Sequence, residues 1–300
     1  MRLNLRAVAS MILMLALATP LGKTTNAQDQ LPEQNTAKAR QLLQQVIGAL
    51  GGQMYLNVRE TDCQGRMAQF GPSGDSPDFT IFRDMWVLPD KNRTEYTTKN
   101  GQMILGLLLG LGGPMIPHGG GVVVSVFNGS EGWTLDKSGV SNQPEDVVKN
   151  FAEQSKLEMN NMLRSRMNEP GMEVRYAGTD LIDLKEAEWI EFNDTDHRNF
   201  RLAIDRLTHL PLRWVVTTRD PETRERTEDV TSYIQYISMD GVKTPLSIVQ
   251  ARNDHKLKQT FLSSCKYNSN LDAQLFTRAS LDQRSGDVSK KGYKNAKDKN

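Results

Sequence analysis

From Gln53 to Cys265 the sequence is a succession of short stretches in which apolar side chains recur at every second position, most of them closed by a turn signal. Met54, Leu56 and Val58 begin the pattern, and Phe79, Ile81, Met85 and Val87 continue it. Val122 to Phe127 and Trp133 to Asp136 flank Asn128-Gly129-Ser130 as a hairpin. Leu181 to Leu184 and Glu188 to Phe192 follow, then Phe200-Leu202-Ile204, a turn at Asp205 to Thr208, and Leu210-Leu212-Trp214-Val216. Beyond a turn at Arg219 to Thr223, Val230 to Ser238 and Thr244 to Ala251 flank Asp240-Gly241, and Leu257 to Cys265 closes the series. Alternation of period two marks strands with one face toward a core. About ten strands joined by hairpins form an antiparallel sheet, because parallel neighbours would need a crossover helix in each connection.

Only two segments have helical spacing. Thr36 to Leu50 aligns Leu42, Leu43, Val46, Ile47 and Leu50 before Gly51-Gly52 stops it, and Glu145 to Met167 aligns Val147, Phe151, Met159, Met162, Leu163 and Met167. Two helices cannot cover both faces of so long a sheet. The expected class is therefore α+β: a large curved antiparallel sheet, an incomplete β-barrel, with helices covering its concave side.

The chain of 300 residues carries 37 Lys plus Arg against 36 Asp plus Glu, a net charge of +1, which lacks the basic excess of a nucleic-acid binder. Met1 to Ala27 reads as a secretory signal, with Arg2 and Arg6 at its start, an apolar run at Met11 to Leu17, and cleavage after Thr25-Asn26-Ala27. That run is too short for a membrane span, which needs about 20 residues. Residues 28–281 are then expected as one domain and 282–300, rich in lysine and without apolar periodicity, as a disordered basic tail.

The 31 residues between Lys99 and Glu131 contain no Asp, Glu, Lys or Arg. Within them Met103, Ile104, Leu105, Leu107, Leu108, Leu109 and Leu111 form an apolar run broken by Gly106 and Gly110 and followed by further glycines and prolines. As a helix the run would extend about 13 Å, too short to span a bilayer. It reads either as a buried element packing across the sheet or as an apolar flap that meets an acyl chain.

Chemistry-bearing motifs are sparse. His118, His197, His209 and His255 show none of the short spacings of metal ligands, so no metal site and no cofactor are expected. Gly106 to Gly113 lacks the Lys-Ser or Lys-Thr of a phosphate loop, and no Gly-x-Ser-x-Gly elbow occurs. Catalytic residues are therefore not assigned. Cys63 and Cys265 are the only cysteines; in an oxidising compartment they can form one disulfide, worth roughly 5 kcal/mol in the chain-entropy model if their Cα atoms approach within about 6 Å.

In their order, several short motifs resemble the LolA-like family of periplasmic lipoprotein carriers. Asp84-Met85-Trp86-Val87-Leu88-Pro89 is similar to that family's Leu-Trp-Val-x-x-Pro strand, with Tyr96 as the aromatic of the next strand. Val124-Ser125-Val126-Phe127-Asn128-Gly129 with Trp133 resembles its Asp-Gly-x-x-x-Trp hairpin. Thr208 to Arg213 and Asn270 to Phe276 also look like recurring features of the wider superfamily. Leu88 stands where the carriers have the arginine tied to cargo release, with Arg93 nearby.

The resemblance implies a periplasmic protein, its signal cleaved near Ala27, whose apolar half-barrel cavity receives acyl chains of a lipoprotein or lipid without catalysis. Met85, Val87, Val124, Val126, Trp133, Leu202, Ile204, Leu212 and Trp214 are the candidate lining residues. Partners would be that cargo and a membrane-anchored donor or acceptor protein, and no nucleic acid. The alternative is an envelope sensor or protein-interaction module on the same fold.

Overall fold

The computed structural model describes residues 31–71, 74, 79–98, 121–220 and 222–285. The first element among the described residues is a helix, α1 (Pro32–Leu50), with Pro32 and Glu33 in its first turn, where a missing N–H and a negative charge both suit the helix start. Its stripe of Ala39, Leu42, Leu43, Val46 and Leu50 is buried. Gly51 ends it at φ 131°, and a Cβ there would stand 2.6 Å from the Gly241 carbonyl oxygen, so both conformation and crowding require glycine. The short α2 (Gln53–Leu56) follows.

Among the described residues, thirteen strands then form one antiparallel sheet. In chain order they are β1 (Glu60–Gln69), β2 (Thr80–Val87), β3 (Lys91–Thr98), β4 (Gly121–Asn128), β5 (Glu131–Asp136), β6 (Gly139–Asn142), β7 (Glu173–Ile182), β8 (Lys185–Asn193), β9 (Asn199–Asp205), β10 (Pro211–Arg219), β11 (Arg226–Met239), β12 (Val242–Arg252) and β13 (His255–Tyr267). Their spatial order is β6-β5-β4-β3-β2-β1-β13-β12-β11-β10-β9-β8-β7, an open curved sheet rather than a closed barrel. Every pairing but one joins strands adjacent in sequence. The exception, β1 with β13, fastens the N-terminal half of the sheet to the C-terminal half.

A disulfide lies on that seam: Cys63 and Cys265 are register partners, with Cα atoms 4.0 Å apart and sulfurs bonded. Two positions along the seam the register shifts, with Ser263 of β13 as the extra residue between the partners of Gln64 and Gly65, and a Cβ at Gly65 would collide with the Phe261 carbonyl oxygen.

Between β6 and β7 the expected single helix is broken into α3 (Glu145–Lys156), α4 (Met159–Arg164) and a 3-10 turn at Arg166–Asn168. α1 and α4 pack on the inner face of β7 to β10 around Phe192, Phe200, Leu202, Ile204 and Trp214, the largest core of the protein. The outer face of β2 to β5 is covered too, by the C-terminal segment: Phe276 and Leu281, both 0% exposed, pack on Met85, Val124, Val126 and Leu135. Arg93, buried on that face, donates to Glu95, the Leu275 carbonyl and Ser280, and Arg284 pairs with the same Glu95. The last helix among the described residues, α5, runs over residues 278–285, so the packed region continues past residue 281 through Arg284, and the remainder of the expected tail lies outside the described residues.

Both ends of the open sheet are edges. On β7 the Asn35 side-chain amide donates to the Tyr176 carbonyl and accepts from its N–H, occupying both backbone groups that a further strand would use.

Candidate functional site

Between α3, α4 and the inner face of β1 to β4 and β11 to β13 lies an open-mouthed cavity of about 420 Å³. Strand alternation decides which side chains reach it. From β2 come Phe82, Asp84 and Trp86; from β3, Asn92, Thr94 and Tyr96; from β4, Ser125 and Phe127; and from β13, Lys258, Thr260 and Leu262. Cys63 and Cys265 also line it, so the seam disulfide forms part of the cavity floor.

One end is aromatic. Phe151 of α3 stacks on Phe127 with ring centroids 4.0 Å apart and on Trp86 at 5.2 Å, while Val147 and Val148 complete the contact. These stacks position α3 over the sheet. Beneath them Asp84 accepts from Trp86 Nε1 at 2.6 Å, Asn92 Nδ2 at 2.9 Å and Thr94 Oγ1 at 2.6 Å, so three donors hold its carboxylate in place.

A polar group marks the end near α2 and α4. Arg164 lies over the Tyr55 ring at 4.5 Å and donates to the Tyr55 carbonyl, the Tyr55 hydroxyl donates to Asn160, and Tyr267 shares a hydrogen bond with Thr244. Burial pushes the Tyr55, Tyr96, Tyr233 and Tyr236 hydroxyls above the ordinary tyrosine value, so all four are neutral hydroxyls at physiological pH. Burial also raises Glu158 and lowers Lys258, each moderated by the other's charge.

The nine lining candidates from the sequence lie elsewhere, and none of them lines this cavity. Met85, Val124 and Val126 are fully buried on the outer face beneath the C-terminal segment, with Val87 and Trp133 packed against them. Leu202, Ile204 and Trp214 do face inward, but α1 and α4 cover them; Trp214 donates from Nε1 to the Leu157 carbonyl and borders a second, smaller recess. Leu212 packs with Trp189 and Val215 on the other face. Alternation identifies residues that share a face without saying which face it is. Here both faces are covered, and the more apolar set belongs to the solid cores. The signal that marks the cavity is its mixture of aromatic and polar positions: Phe82, Asp84 and Trp86, then Asn92, Thr94 and Tyr96.

Met103, Ile104, Leu105, Leu107, Leu108, Leu109 and Leu111 lie outside the described residues; the strands on either side pair at Thr98 and Gly121. Among the described residues no three His, Cys, Asp or Glu side chains come together as a metal site, and no helix is long and apolar enough to cross a membrane.

No protein-family profile and no curated protein matches the sequence. The structure is similar to that of a DUF1329 family protein from Desulfovibrio piger, with 10% identity, 81% of this chain and 98% of that chain covered, and a TM-score of 0.49. It is also similar to a LolA superfamily protein from Nitrosomonas europaea, with 11% identity, 81% and 99% covered, and a TM-score of 0.49. A third similar structure is an outer membrane lipoprotein-sorting protein domain from Vibrio parahaemolyticus, with 9% identity, 84% and 100% covered, and a TM-score of 0.46.

Proposed function

We propose that this protein is a non-catalytic periplasmic carrier that holds acyl chains of a lipid or lipoprotein in the inner-face cavity and exchanges them with a membrane-anchored partner. One observation carries the reading: a 420 Å³ cavity, within the size range of small-molecule sites at about 300–1,000 Å³, walled by Met67, Phe82, Trp86, Phe127, Phe151 and Leu262. An acyl chain gains about 0.8 kcal/mol for each methylene removed from water. About ten buried methylenes would supply roughly 8 kcal/mol before the costs of association, enough for binding in a reversible range. Reversibility suits a carrier. The signal-like Met1 to Ala27 and the disulfide both suit an oxidising compartment beyond the inner membrane.

The test is native mass spectrometry of protein isolated from the periplasm, followed by solvent extraction. Co-purified lipid or acylated protein, displaced when Phe151→Trp narrows the cavity, supports the reading. Recovery of unliganded protein alone, under conditions where a known acyl carrier retains its cargo, overturns it.

A further inference from the structure

Two side chains of opposite charge enter the cavity without meeting. Lys258 reaches in from β13, and Glu158 from the N-terminal edge of α4. Each lies within electrostatic reach of the other, yet among the described residues neither makes a side-chain hydrogen bond or an ion pair.

Several other enclosed charges in this protein are tied down. Arg93 is held by Glu95, a carbonyl and a hydroxyl, and Asp194 accepts from both Arg166 and Arg198. Even inside the cavity, Asp84 has three donors. Glu158 is exposed and Lys258 half-buried, both line the cavity, and neither is committed to a partner of its own, so a ligand that brings each its counter-charge makes two charge-assisted contacts at once.

That requirement selects among amphiphiles. An uncharged head group satisfies neither residue. A simple anion satisfies Lys258, in a cavity also lined by Arg164 and Lys243, but leaves Glu158 without a counter-charge. A head group with one anionic and one cationic centre satisfies both. Tyr233 lines the same cavity, with its hydroxyl within electrostatic reach of Glu158.

We propose that the cavity selects a zwitterionic amphiphile, a phosphate diester bearing an ammonium group, with the phosphate on Lys258 and the ammonium on Glu158. This deepens the cargo-binding reading and rests on it.

The experiment compares three single-chain probes of equal acyl length, below their micelle concentrations: lysophosphatidylethanolamine, lysophosphatidylglycerol and monoacylglycerol. Binding is followed by calorimetry for the wild-type chain, Lys258→Met and Glu158→Gln, each first shown to unfold at the wild-type denaturant midpoint. The expected result is at least tenfold tighter binding of the zwitterion by the wild type. Lys258→Met removes its advantage over monoacylglycerol, and Glu158→Gln removes its advantage over the anionic probe. Equal binding of all three probes, or a preference that survives both substitutions, overturns the head-group assignment while leaving acyl binding intact. Failure of every probe to bind overturns the cargo reading as well.

Discussion

Removing the seam disulfide by Cys63→Ala together with Cys265→Ala should cost as much stability as truncating one of the largest buried side chains. The sequence separation is 202 residues. In the chain-entropy model, a loop of that size withholds about 5 kcal/mol from the unfolded state at 25 °C, and measured values commonly fall somewhat below the model. The position sharpens the expectation. All other strand pairings close through connections between sequence neighbours, whereas β1 must find β13 across most of the domain, so the loop-closure cost is concentrated where the covalent bond lies. A loss of about 3–5 kcal/mol is a large part of the total stability of an ordinary domain, about 5–15 kcal/mol. Urea unfolding followed by tryptophan fluorescence measures it, with wild type and double variant compared at equal protein concentration. The slope of free energy against urea should also rise, because the unfolded chain without its cross-link exposes more surface. A loss below about 1 kcal/mol with an unchanged slope would refute the reasoning, since it would mean that the two halves of the sheet find and hold each other without the bond.

Four further outcomes follow from the geometry. Phe276→Ala empties a 0% exposed position beneath the C-terminal segment and should cost about 3–5 kcal/mol, with limited proteolysis releasing the chain beyond Leu271 before the sheet is cut. Arg93→Met removes the charged donor to the Leu275 carbonyl and to the Ser280 hydroxyl, leaving that carbonyl only Ser280, while Glu95 keeps Arg284; a loss of about 1–3 kcal/mol in denaturant unfolding is expected, and no loss would show that the segment does not depend on Arg93. Burial opposes ionisation of Asp194, but hydrogen bonds from the Arg198 N–H and from the Arg166 and Arg198 side chains more than offset it and hold the carboxyl below its usual range. Because the folded value is the lower one, this stabilisation is complete above about pH 3.9 and is lost as the pH falls through the folded value; Asp194→Asn should flatten that acid limb of the stability profile. Asn35→Ala uncovers the backbone groups of Tyr176 on the β7 edge and should increase concentration-dependent association in light scattering.

The strands that were legible from sequence are those whose apolar alternation faces a core, such as β2, β4, β9 and β10. β3 was marked only by the resemblance that put Tyr96 on a strand, not by alternation, because Lys91–Thr98 is almost wholly polar. Its polar residues are accommodated on both faces: Asn92 and Thr94 satisfy Asp84 on the inner side, while Arg93 and Glu95 hold the C-terminal segment on the outer side. Nothing local announces such a strand, since its partners lie on β2 and nearly two hundred residues downstream. The break between α3 and α4 was equally hidden, with apolar residues at helical spacing on both sides of Leu157 and Glu158.

The residues themselves determined that the chain would form hairpin after hairpin and hence an antiparallel sheet, because side-chain alternation and turn chemistry act between near neighbours. Tertiary structure alone decided that β1 would join β13, that the C-terminal segment would cover the outer face, and that Asp84, Glu158 and Lys258 would share a cavity while Met85 and Val124 became core. A strand pattern has period two and no sign: it separates one face from the other, but only packing by distant segments determines which face is filled and which is left open.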